Sequence, residues 1–249
     1  MTSSVTNLSI QSYSDGFIFY ESNNERMQTF KLAMEAFVDF PESFEKFVVE
    51  KGWSAGMQIN INITEHGDRF LILPSEIEDP EQIRSFFDFM YAPIKGNSLR
   101  SDPLSDGKQQ FCYELSSERL ASYKRMFTKF KLQNDAFAIT EWTLSNAIAR
   151  QKPVVIANVF KKSMQLFAAN TSGILFANSF QIQTIPEVTY FFLRCLEQTG
   201  LNPFETDCYI CSHNEENDEL NDSLRPYIKN LETATFTPQS ENIITPNKA

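Results

Sequence analysis

The order of predicted elements is repeated along the chain, and this repeat limits the folds that the sequence can adopt. After Pro153, three strand-like segments separated by turns are followed by alternating helices and strands. A similar order begins at Leu8. Two copies of a three-stranded meander, each continuing into helices and strands, predict a duplicated α/β (mixed α+β) fold. Each half is then a mixed sheet flanked by helices, and a ligand cleft is expected between the halves.

The repeat also predicts the domain organisation. We expect the first half over residues 1–150 and the second half over residues 151–236. Residues 95–109 contain Gly, Ser, Asp and Pro without any periodicity, which is typical of an inserted loop. Residues 237–249 are polar and contain prolines, so we expect a disordered tail.

Local patterns predict several elements of the first half. Residues 41–51 and 81–90 have apolar side chains at helical spacing, and residues 57–63 alternate as a half-buried strand does. The segment AFAIT, at residues 136–140, is predicted as a short strand that precedes a helix. In the helix over residues 81–90, the stripe expected to be buried consists of Ile83, Phe86, Phe87 and Met90.

The second half has clearer signals. Residues 154–160 are apolar at nearly every position, as in a central strand that is covered on both faces. Thr184 and Glu187 have the spacing of a capping box at a helix start, and Gly200 is a suitable residue for the helix end.

Composition and charge argue against several classes of function. The 249 residues have a formal net charge of −10, whereas non-specific binding to nucleic acid or to anionic membranes requires clustered cations. No apolar run approaches the roughly 20 residues of a membrane helix, and the first residues lack the pattern of a signal peptide. The four cysteines show no disulfide framework. We therefore expect a cytoplasmic protein that does not insert into membranes.

Two stretches of the chain resemble known proteins. The run from Gln110 to Ala147, which ends in EWTLSNAIA, and the meander PVVIANVFKKSMQLFAANTSGILFANSF are similar to actin-like ATPases of the PilM and FtsA type. Over residues 8–236 the chain resembles more closely a bacterial family of unknown function from the Bacteroidetes. The most similar segment is FANSFQIQTIPEVTYFFLRCLEQTGLNPFETDCYICS, and the turn at Ser14 also fits. The resemblance implies an actin-like ATPase fold, which is a duplicated ribonuclease H-like fold.

The nucleotide motifs that this resemblance implies are degenerate in the sequence. Actin-like ATPases have Asp-x-Gly at the first hairpin of each half, where the carboxylate organises the metal and backbone amides hold phosphates. Here the second half has Ala-Asn-Val at residues 157–159, and Ser-His-Asn at residues 212–214 replaces the Gly-Gly expected beside the adenosine. The candidate cofactor-binding residues of a remaining site are Asp15, Gly16, Lys161, Lys162, Ser212 and His213.

Other chemical sites are only weakly indicated. Cys208, Cys211 and His213 resemble the start of a zinc site, but the cysteines lie on a predicted strand, where their odd separation directs them to opposite faces. A ribonuclease H-type nuclease requires a carboxylate on its first strand, and residues 8–13 and 154–160 contain none. We therefore expect no metal and no catalytic residue. A basic strip, interpreted as the solvated face of a helix, consists of Lys124, Arg125, Lys129 and Lys131.

These patterns predict a non-catalytic, actin-like scaffold or adaptor that binds an unidentified protein partner. The element order is kept in both halves while the nucleotide motifs are degenerate, so we expect a pseudo-ATPase without a cofactor. The partner is expected at residues 95–109 and the adjacent basic helix. Two alternatives stay open. One is a nucleotide-binding switch that holds ATP and Mg²⁺ with atypical phosphate loops, and the other is an RNA-associated accessory protein that uses Lys124 and Lys129.

Overall fold

The polypeptide folds into two compact units, each assembled from several segments of the chain. The computed structural model describes residues 6–13, 16–22, 27–33, 40–53, 59–212, 217–236 and 244–246. Unit 1 comprises Met1–Gly67, Ala92–Arg100 and Tyr113–Asp135, and unit 2 comprises Asp68–Tyr91, Ser101–Cys112 and Ala136–Ala249.

The elements alternate between strands and helices in both parts of the chain. Up to residue 150 they are β1 (Thr6–Tyr13), β2 (Gly16–Ser22), β3 (Met27–Ala33), α1 (Phe40–Glu50), β4 (Ile59–Glu65), β5 (Phe70–Pro74), α2 (Pro80–Met90), β6 (Asn97–Pro103), β7 (Gln109–Ser116), α3 (Ser117–Met126), β8 (Lys131–Asn134) and α4 (Asp135–Arg150). After residue 150 they are β9 (Val154–Val159), β10 (Ser163–Asn170), β11 (Gly173–Gln181), α5 (Ile185–Thr199), β12 (Asp207–Ser212), α6 (Asn217–Leu224), β13 (Asn230–Phe236) and β14 (Ile244–Pro246).

The two larger sheets repeat one topology. The sheet of unit 1 has the order β3-β2-β1-β4-β8, and that of unit 2 has the order β11-β10-β9-β12-β13-β14. In each sheet an antiparallel meander comes first, and its first strand pairs in parallel with the strand that follows a helix, β4 or β12. The duplicated mixed α/β fold predicted from the sequence is confirmed by this strand order.

Aromatic side chains fill the core of unit 1. Alternation along β2 places Phe17 and Phe19 on one buried face, and one helical turn separates Phe40 from Phe44 on α1. The ring of Phe44 lies 5.1 Å from that of Phe17 and 5.2 Å from that of Tyr123 on α3. The sheet and both helices therefore meet at Phe44, within the helix predicted at residues 41–51.

The core of unit 2 follows the patterns predicted from the sequence. Every residue of β9 is buried, as its continuous apolar run predicts. At the start of α5, the backbone amides of Gln183 and Thr184 donate to Glu187 Oε2 at 2.6 and 3.0 Å. Gly200 ends the helix with a φ of 67°, a left-handed conformation that suits glycine. The predicted bounds of α5 are thus confirmed.

The segment predicted as an inserted loop contains a strand instead. β6 pairs with β7 at one edge of a three-stranded sheet with the order β5-β7-β6. Its polar residues are half-buried or exposed, which suits an edge strand, and Pro103 stands at its end, where proline is tolerated. The loop prediction for residues 95–109 is therefore wrong over Asn97–Pro103, because pairing with β7 overrides the turn-like composition.

The strand predicted at residues 136–140 is also wrong. These residues lie in α4, and the strand of this region is β8, which comes directly before them. Ala136 and Ile139 are buried at helical spacing, and a segment of five residues is too short to distinguish a strand from a buried helix.

Two further predictions extend beyond the described residues. The predicted strand at residues 57–63 corresponds to β4, but residues 57–58 lie outside the described part of the chain. Part of the predicted disordered tail, Ile244–Pro246, forms β14 and pairs with β13 in antiparallel orientation. The other residues of 237–249 are not among those described.

Buried thiols in unit 2 make the fold less stable as the pH becomes alkaline. Burial raises the pKa of Cys195 to about 12 and also raises the pKa of Cys208. A thiol in the unfolded chain ionises near pH 9.0, so above this pH the unfolded chain binds fewer protons than the folded one. The free energy of unfolding must then fall as the pH rises from 9 towards 12.

We expect Cys195→Ala to make this alkaline fall shallower. For one thiol, the unfolding equilibrium constant grows by up to about tenfold per pH unit above the unfolded pKa, and the variant lacks that contribution. Urea unfolding of both proteins between pH 8 and pH 10.5 measures the two slopes. The cavity left by alanine costs the same at every pH, so parallel curves would contradict the prediction.

Candidate functional site

Polar side chains are buried at the carboxyl ends of three neighbouring strands in unit 1. Ser12 lies near the end of β1, Glu65 ends β4 and Asn134 ends β8, and their exposed fractions are 1%, 4% and 3%. The parallel registers pair Ser12 with Glu65 and Glu65 with Asn134, so the three residues stand side by side. Ligands of open α/β sheets bind at this edge. The carboxyl edge of this sheet is therefore the candidate functional site of unit 1.

A buried ion pair occupies this edge. Ser116 caps α3 by accepting a hydrogen bond from the amide of Arg119, which places Arg119 in the first turn of the helix. Arg119 Nη1 donates to Glu65 Oε2 at 2.7 Å and to Ser12 Oγ at 2.8 Å. The side chains of Arg119 and Glu65 are 13% and 6% exposed, so both charges are largely removed from water. Such a pair is stable only when hydrogen bonds satisfy its remaining polar atoms.

Tyr123 supplies the second hydrogen bond to the carboxylate. It lies one helical turn beyond Arg119, is fully buried, and donates its hydroxyl to Glu65 Oε1. Burial, with a further contribution from the charge of Glu65, raises the pKa of Tyr123 well above its usual range. The phenol therefore stays protonated and acts as a donor. Each oxygen of Glu65 is bound by a donor from α3.

A second polar pair lies where β4 and β8 end. His66 Nδ1 lies 2.6 Å from Asp135 Oδ2, and the amide of Gly67 donates to Asp135 Oδ1 at 3.2 Å. Asp135 begins α4, where a carboxylate interacts favourably with the helix dipole. A Cβ atom at Gly67 would lie 2.7 Å from Nδ2 of Asn134, so glycine allows this close approach. The pair holds the end of β4 against the start of α4.

The chemistry of the unit 1 edge is set by these internal contacts. A carboxylate that binds Mg²⁺ must offer its oxygen lone pairs to the ion. The charge of Glu65 is balanced by Arg119, and both of its oxygens accept hydrogen bonds. A cation at Glu65 would compete with the guanidinium of Arg119 and the hydroxyl of Tyr123 for the same carboxylate.

A pair of buried side-chain amides lies at the corresponding edge of unit 2. Asn158, near the end of β9, is 1% exposed, and its Nδ2 donates to Oε1 of the fully buried Gln165 at 2.9 Å. The two residues are Cα partners in the β9–β10 pair. This edge has a neutral hydrogen bond where unit 1 has an ion pair.

The predicted candidate residues are divided between the two units. Gly16 starts β2 with a φ of 146°, and a Cβ atom there would clash with the carbonyl oxygen of Leu32 on β3, so this glycine is needed for strand packing. Lys161 and Lys162 are exposed in the turn after β9, and half-buried Ser212 ends β12 beside Val159. These three residues share the carboxyl edge of the unit 2 sheet. Asp15 and His213 lie outside the described residues, and a cofactor role for any of the six stays a prediction.

The structure also describes most of the other patterns singled out in the sequence. Cys208 and Cys211 are buried, and neither forms a disulfide bond. Within the described ranges, no group of three or more His, Cys, Asp or Glu residues could hold a metal ion. In the basic strip, Arg125 Nε donates to Glu45 Oε1 at 2.9 Å. None of the helices in the described part of the chain is long and apolar enough to cross a membrane.

Sequence reasoning missed the residues that form the unit 1 edge. Glu65 lies two positions beyond the alternating segment at residues 57–63, and a polar residue at the end of a strand is the local signal that could have identified it. Arg119 and Tyr123 have the i, i+4 spacing of neighbours on a helix, but their contact with Glu65 joins residues 54 and 58 positions apart. No local pattern predicts that contact.

Comparison with known proteins identifies the family and the fold. The family described as "Protein of unknown function (DUF3822)" matches residues 1–231. A Bacteroides thetaiotaomicron protein with an actin-like ATPase fold and unknown function is 17% identical, with a TM-score of 0.78 over 96% of this chain and 94% of that one. No curated protein is significantly similar in sequence.

Two further solved structures are more distant. The PilM–PilN type IV pilus biogenesis complex gives 10% identity and a TM-score of 0.47, over 92% of this chain and 88% of the other. The AlfA filament from a B. subtilis plasmid gives 8% identity and a TM-score of 0.46, over 95% and 94%. The resemblance to an actin-like family of unknown function is confirmed, and the chain has the actin-like ATPase fold.

The buried ion pair leads to a prediction about stability. We expect Arg119→Met to lower the free energy of unfolding by about 3–5 kcal/mol, because it leaves the Glu65 carboxylate buried without a compensating charge. Adding Glu65→Gln should recover part of this loss. Urea unfolding of the wild type, the two single variants and the double variant measures the coupling between the residues.

Arg125→Met is the matched control on the same helix. Its ion pair with Glu45 is exposed, with side chains 53% and 28% accessible, so its loss should cost less than about 1 kcal/mol. Equal losses in Arg119→Met and Arg125→Met would show that the Glu65 pair is not a special feature of the fold.

Proposed function

We propose that this chain, which belongs to the DUF3822 family of proteins of unknown function and has the actin-like ATPase fold, is a non-catalytic scaffold or adaptor that binds another protein. The observation that carries the proposal is that Glu65, the buried carboxylate at the carboxyl edge of the unit 1 sheet, accepts hydrogen bonds from Arg119 and Tyr123. A fold of this kind does not by itself assign an activity, which depends on the chemistry of the residues at the sheet edges.

The unit 1 edge favours a structural role over phosphate chemistry. Metal-assisted phosphoryl transfer needs a cation that bridges phosphate oxygens and neutralises their charge. The carboxylate available for such a cation, Glu65, is engaged by Arg119 at 2.7 Å and by the hydroxyl of Tyr123. Breaking this network would cost the energy that binds α3 to β4. We therefore propose that the network fixes the fold and that no cofactor is used.

The unit 2 edge supports the same conclusion. Its buried polar residues, Asn158 and Gln165, bind each other at 2.9 Å. Neutral amides balance less charge on a cation than carboxylates do. At both edges the buried polar side chains form hydrogen bonds with other side chains of the protein.

Protein binding is the function that remains most compatible with the composition. The net charge of −10 disfavours nucleic acids and anionic membranes, which bind clustered cations. Unit 2 exposes large apolar side chains, Phe89 most of all at 87%, and exposed aromatic residues are typical of protein interfaces. All four cysteines are buried and none forms a disulfide bond, which suits a reducing compartment, so we propose that the scaffold works in the cytoplasm.

One arrangement favours a nucleotide-binding switch as the second candidate. Lys161, Lys162 and Ser212 share the carboxyl edge of the unit 2 sheet, and two exposed ammonium groups there could attract phosphates. Lysine binds phosphate as a point charge and needs no carboxylate. This candidate and the scaffold differ in their response to nucleotides.

We expect the melting temperature to stay unchanged when Mg²⁺-ATP, ADP or GTP is titrated to millimolar concentration. A ligand at 100 times its dissociation constant would add about 2.7 kcal/mol, which is roughly 5–10 °C at this chain length. A saturable rise would contradict the proposal. Lys161→Ala with Lys162→Ala would then show whether the unit 2 edge is the nucleotide site.

We also expect affinity-tagged protein, isolated from its native cells, to retain a protein partner at stoichiometric level. The retention should not change when nucleotides and Mg²⁺ are removed, because the proposed scaffold uses neither. Size-exclusion chromatography with light scattering measures the mass of the complex. A chain that elutes alone from cells at native expression would contradict the scaffold function.

A further inference from the structure

We propose that one face of α2 is the docking surface for a basic, apolar segment of the partner protein. The α2 apolar face consists of Phe86, Phe89 and Met90, which are 47%, 87% and 57% exposed. This inference rests on the proposed scaffold function and names the chemistry of the partner. It also departs from the expected contact surface at residues 95–109 and the basic helix.

The three side chains form a continuous surface. Residues separated by three and four positions are neighbours on a helix, so Phe86 lies beside both Phe89 and Met90. The sequence predicted Phe86 and Met90 as part of a buried stripe, and this prediction is wrong, because only Ile83 and Phe87 of α2 are buried. Single exposed apolar residues are ordinary, whereas a contiguous apolar surface indicates an interaction site.

The exposed side chains lie on a helix whose opposite face is packed into the protein. Asp79 caps α2 by accepting a hydrogen bond from the amide of Glu81 at 3.0 Å. Ile83 and Phe87 are buried, and the ring of Phe87 lies 5.0 Å from that of Tyr91 just beyond the helix. The α2 apolar face is therefore presented on an ordered element.

Contacts beyond the helix fix its carboxyl end. The Tyr91 hydroxyl donates to the carbonyl of Phe70 on β5 at 3.0 Å. The guanidinium of Arg69 lies 5.8 Å from the ring centre of Phe87 and 5.2 Å from that of Tyr91, within the range of cation–π attraction. These contacts occupy the buried side of α2 and leave its other side exposed.

The charge around the α2 apolar face determines which partner fits. Residues 76–90 contain five acidic residues and one basic residue, which gives a local net charge of 5 × (−1) + 1 = −4. Glu78 and Glu81 are exposed, and the basic residue, Arg84, lies 3.4 Å from the carboxylate of Asp88. Anionic membranes and nucleic acids are repelled by such a rim. A segment with apolar anchors and flanking Lys or Arg residues complements both the face and its rim.

A second copy of the chain fits less well. In a two-fold contact the same patch meets itself, so two acidic rims would face each other. Like charges placed together suppress such a contact, and opposite charges steer a basic segment towards it. The occupant is therefore a different protein, with the apolar anchors covering Phe86 and Phe89.

The first test uses a defined probe. A fluorescein-labelled 18-residue peptide of Leu and Lys, patterned as an amphipathic helix, should bind the wild type saturably in anisotropy measurements. The same peptide with Glu in place of Lys should not bind. Phe86→Ser with Phe89→Ser should weaken binding of the Lys peptide at least about tenfold, since buried aromatic anchors dominate interface energy. Equal affinity in this variant and the wild type, or no binding by the wild type, overturns the proposal.

Phe204→Ser is the matched control. Phe204 is 61% exposed and also lies in unit 2, outside α2, so its replacement removes the same side chain from another part of the surface. It should leave the affinity for the Lys peptide unchanged. Because Phe86 and Phe89 are exposed, the double variant should have the melting temperature of the wild type. Thermal unfolding of the samples used for binding measures this temperature. A loss of binding in Phe204→Ser equal to that in the double variant overturns the assignment to α2.

The second test identifies the natural segment and separates the two proposals. A photoreactive phenylalanine analogue at position 89 should cross-link, in native cells, to a protein segment rich in Lys or Arg and apolar residues. A cross-link to an acidic segment or to a second copy overturns the α2 proposal. If the Phe86→Ser/Phe89→Ser variant still retains the wild-type partner, the α2 proposal fails and the scaffold function stands. If the wild type retains no partner, the scaffold function itself fails.

Discussion

The contact between Glu65 and Arg119 joins parts of unit 1 that are distant in sequence. Arg119 reaches Glu65 across 54 positions and Ser12 across 107, so one guanidinium connects α3 to the ends of two strands. Burying either charge without its partner costs several kcal/mol, so the ion pair favours the observed position of α3 against β4. The helix docked in this way also places Tyr123 against Phe44, where the aromatic core of unit 1 is formed.

The two larger sheets show that topology and edge chemistry are set by different residues. Both have the same meander and parallel strand, but one edge holds an ion pair and the other an amide pair. The sheet order requires buried apolar side chains along the strands. It does not depend on which residues stand at the strand ends. Those residues must only satisfy their own hydrogen bonds, which Glu65 with Arg119 and Asn158 with Gln165 do in different ways.

Much of the fold could be predicted from local patterns, whereas the candidate site depends on distant contacts. Continuous apolar runs and capping residues predicted β9 and α5 because these signals lie within a few positions of each other. The prediction failed at residues 136–140, where five residues cannot reveal a helical period, and at β6, whose partner strand determines its conformation. Glu65 had a weak local signal, and its pairing with Arg119 had none.

The sheet edges and the α2 apolar face differ in what they can bind, because polar groups dominate the first and apolar groups the second. The buried polar groups at the sheet edges, Glu65 and Asn158, already accept or donate hydrogen bonds, so a ligand that used them would have to break an existing contact. On α2, by contrast, Phe86 and Phe89 are already exposed, and covering them with apolar atoms releases water at no cost in broken hydrogen bonds. The acidic rim has two effects on such a surface. It opposes association between copies of the chain, and it lets positive charge on a partner add to the hydrophobic gain.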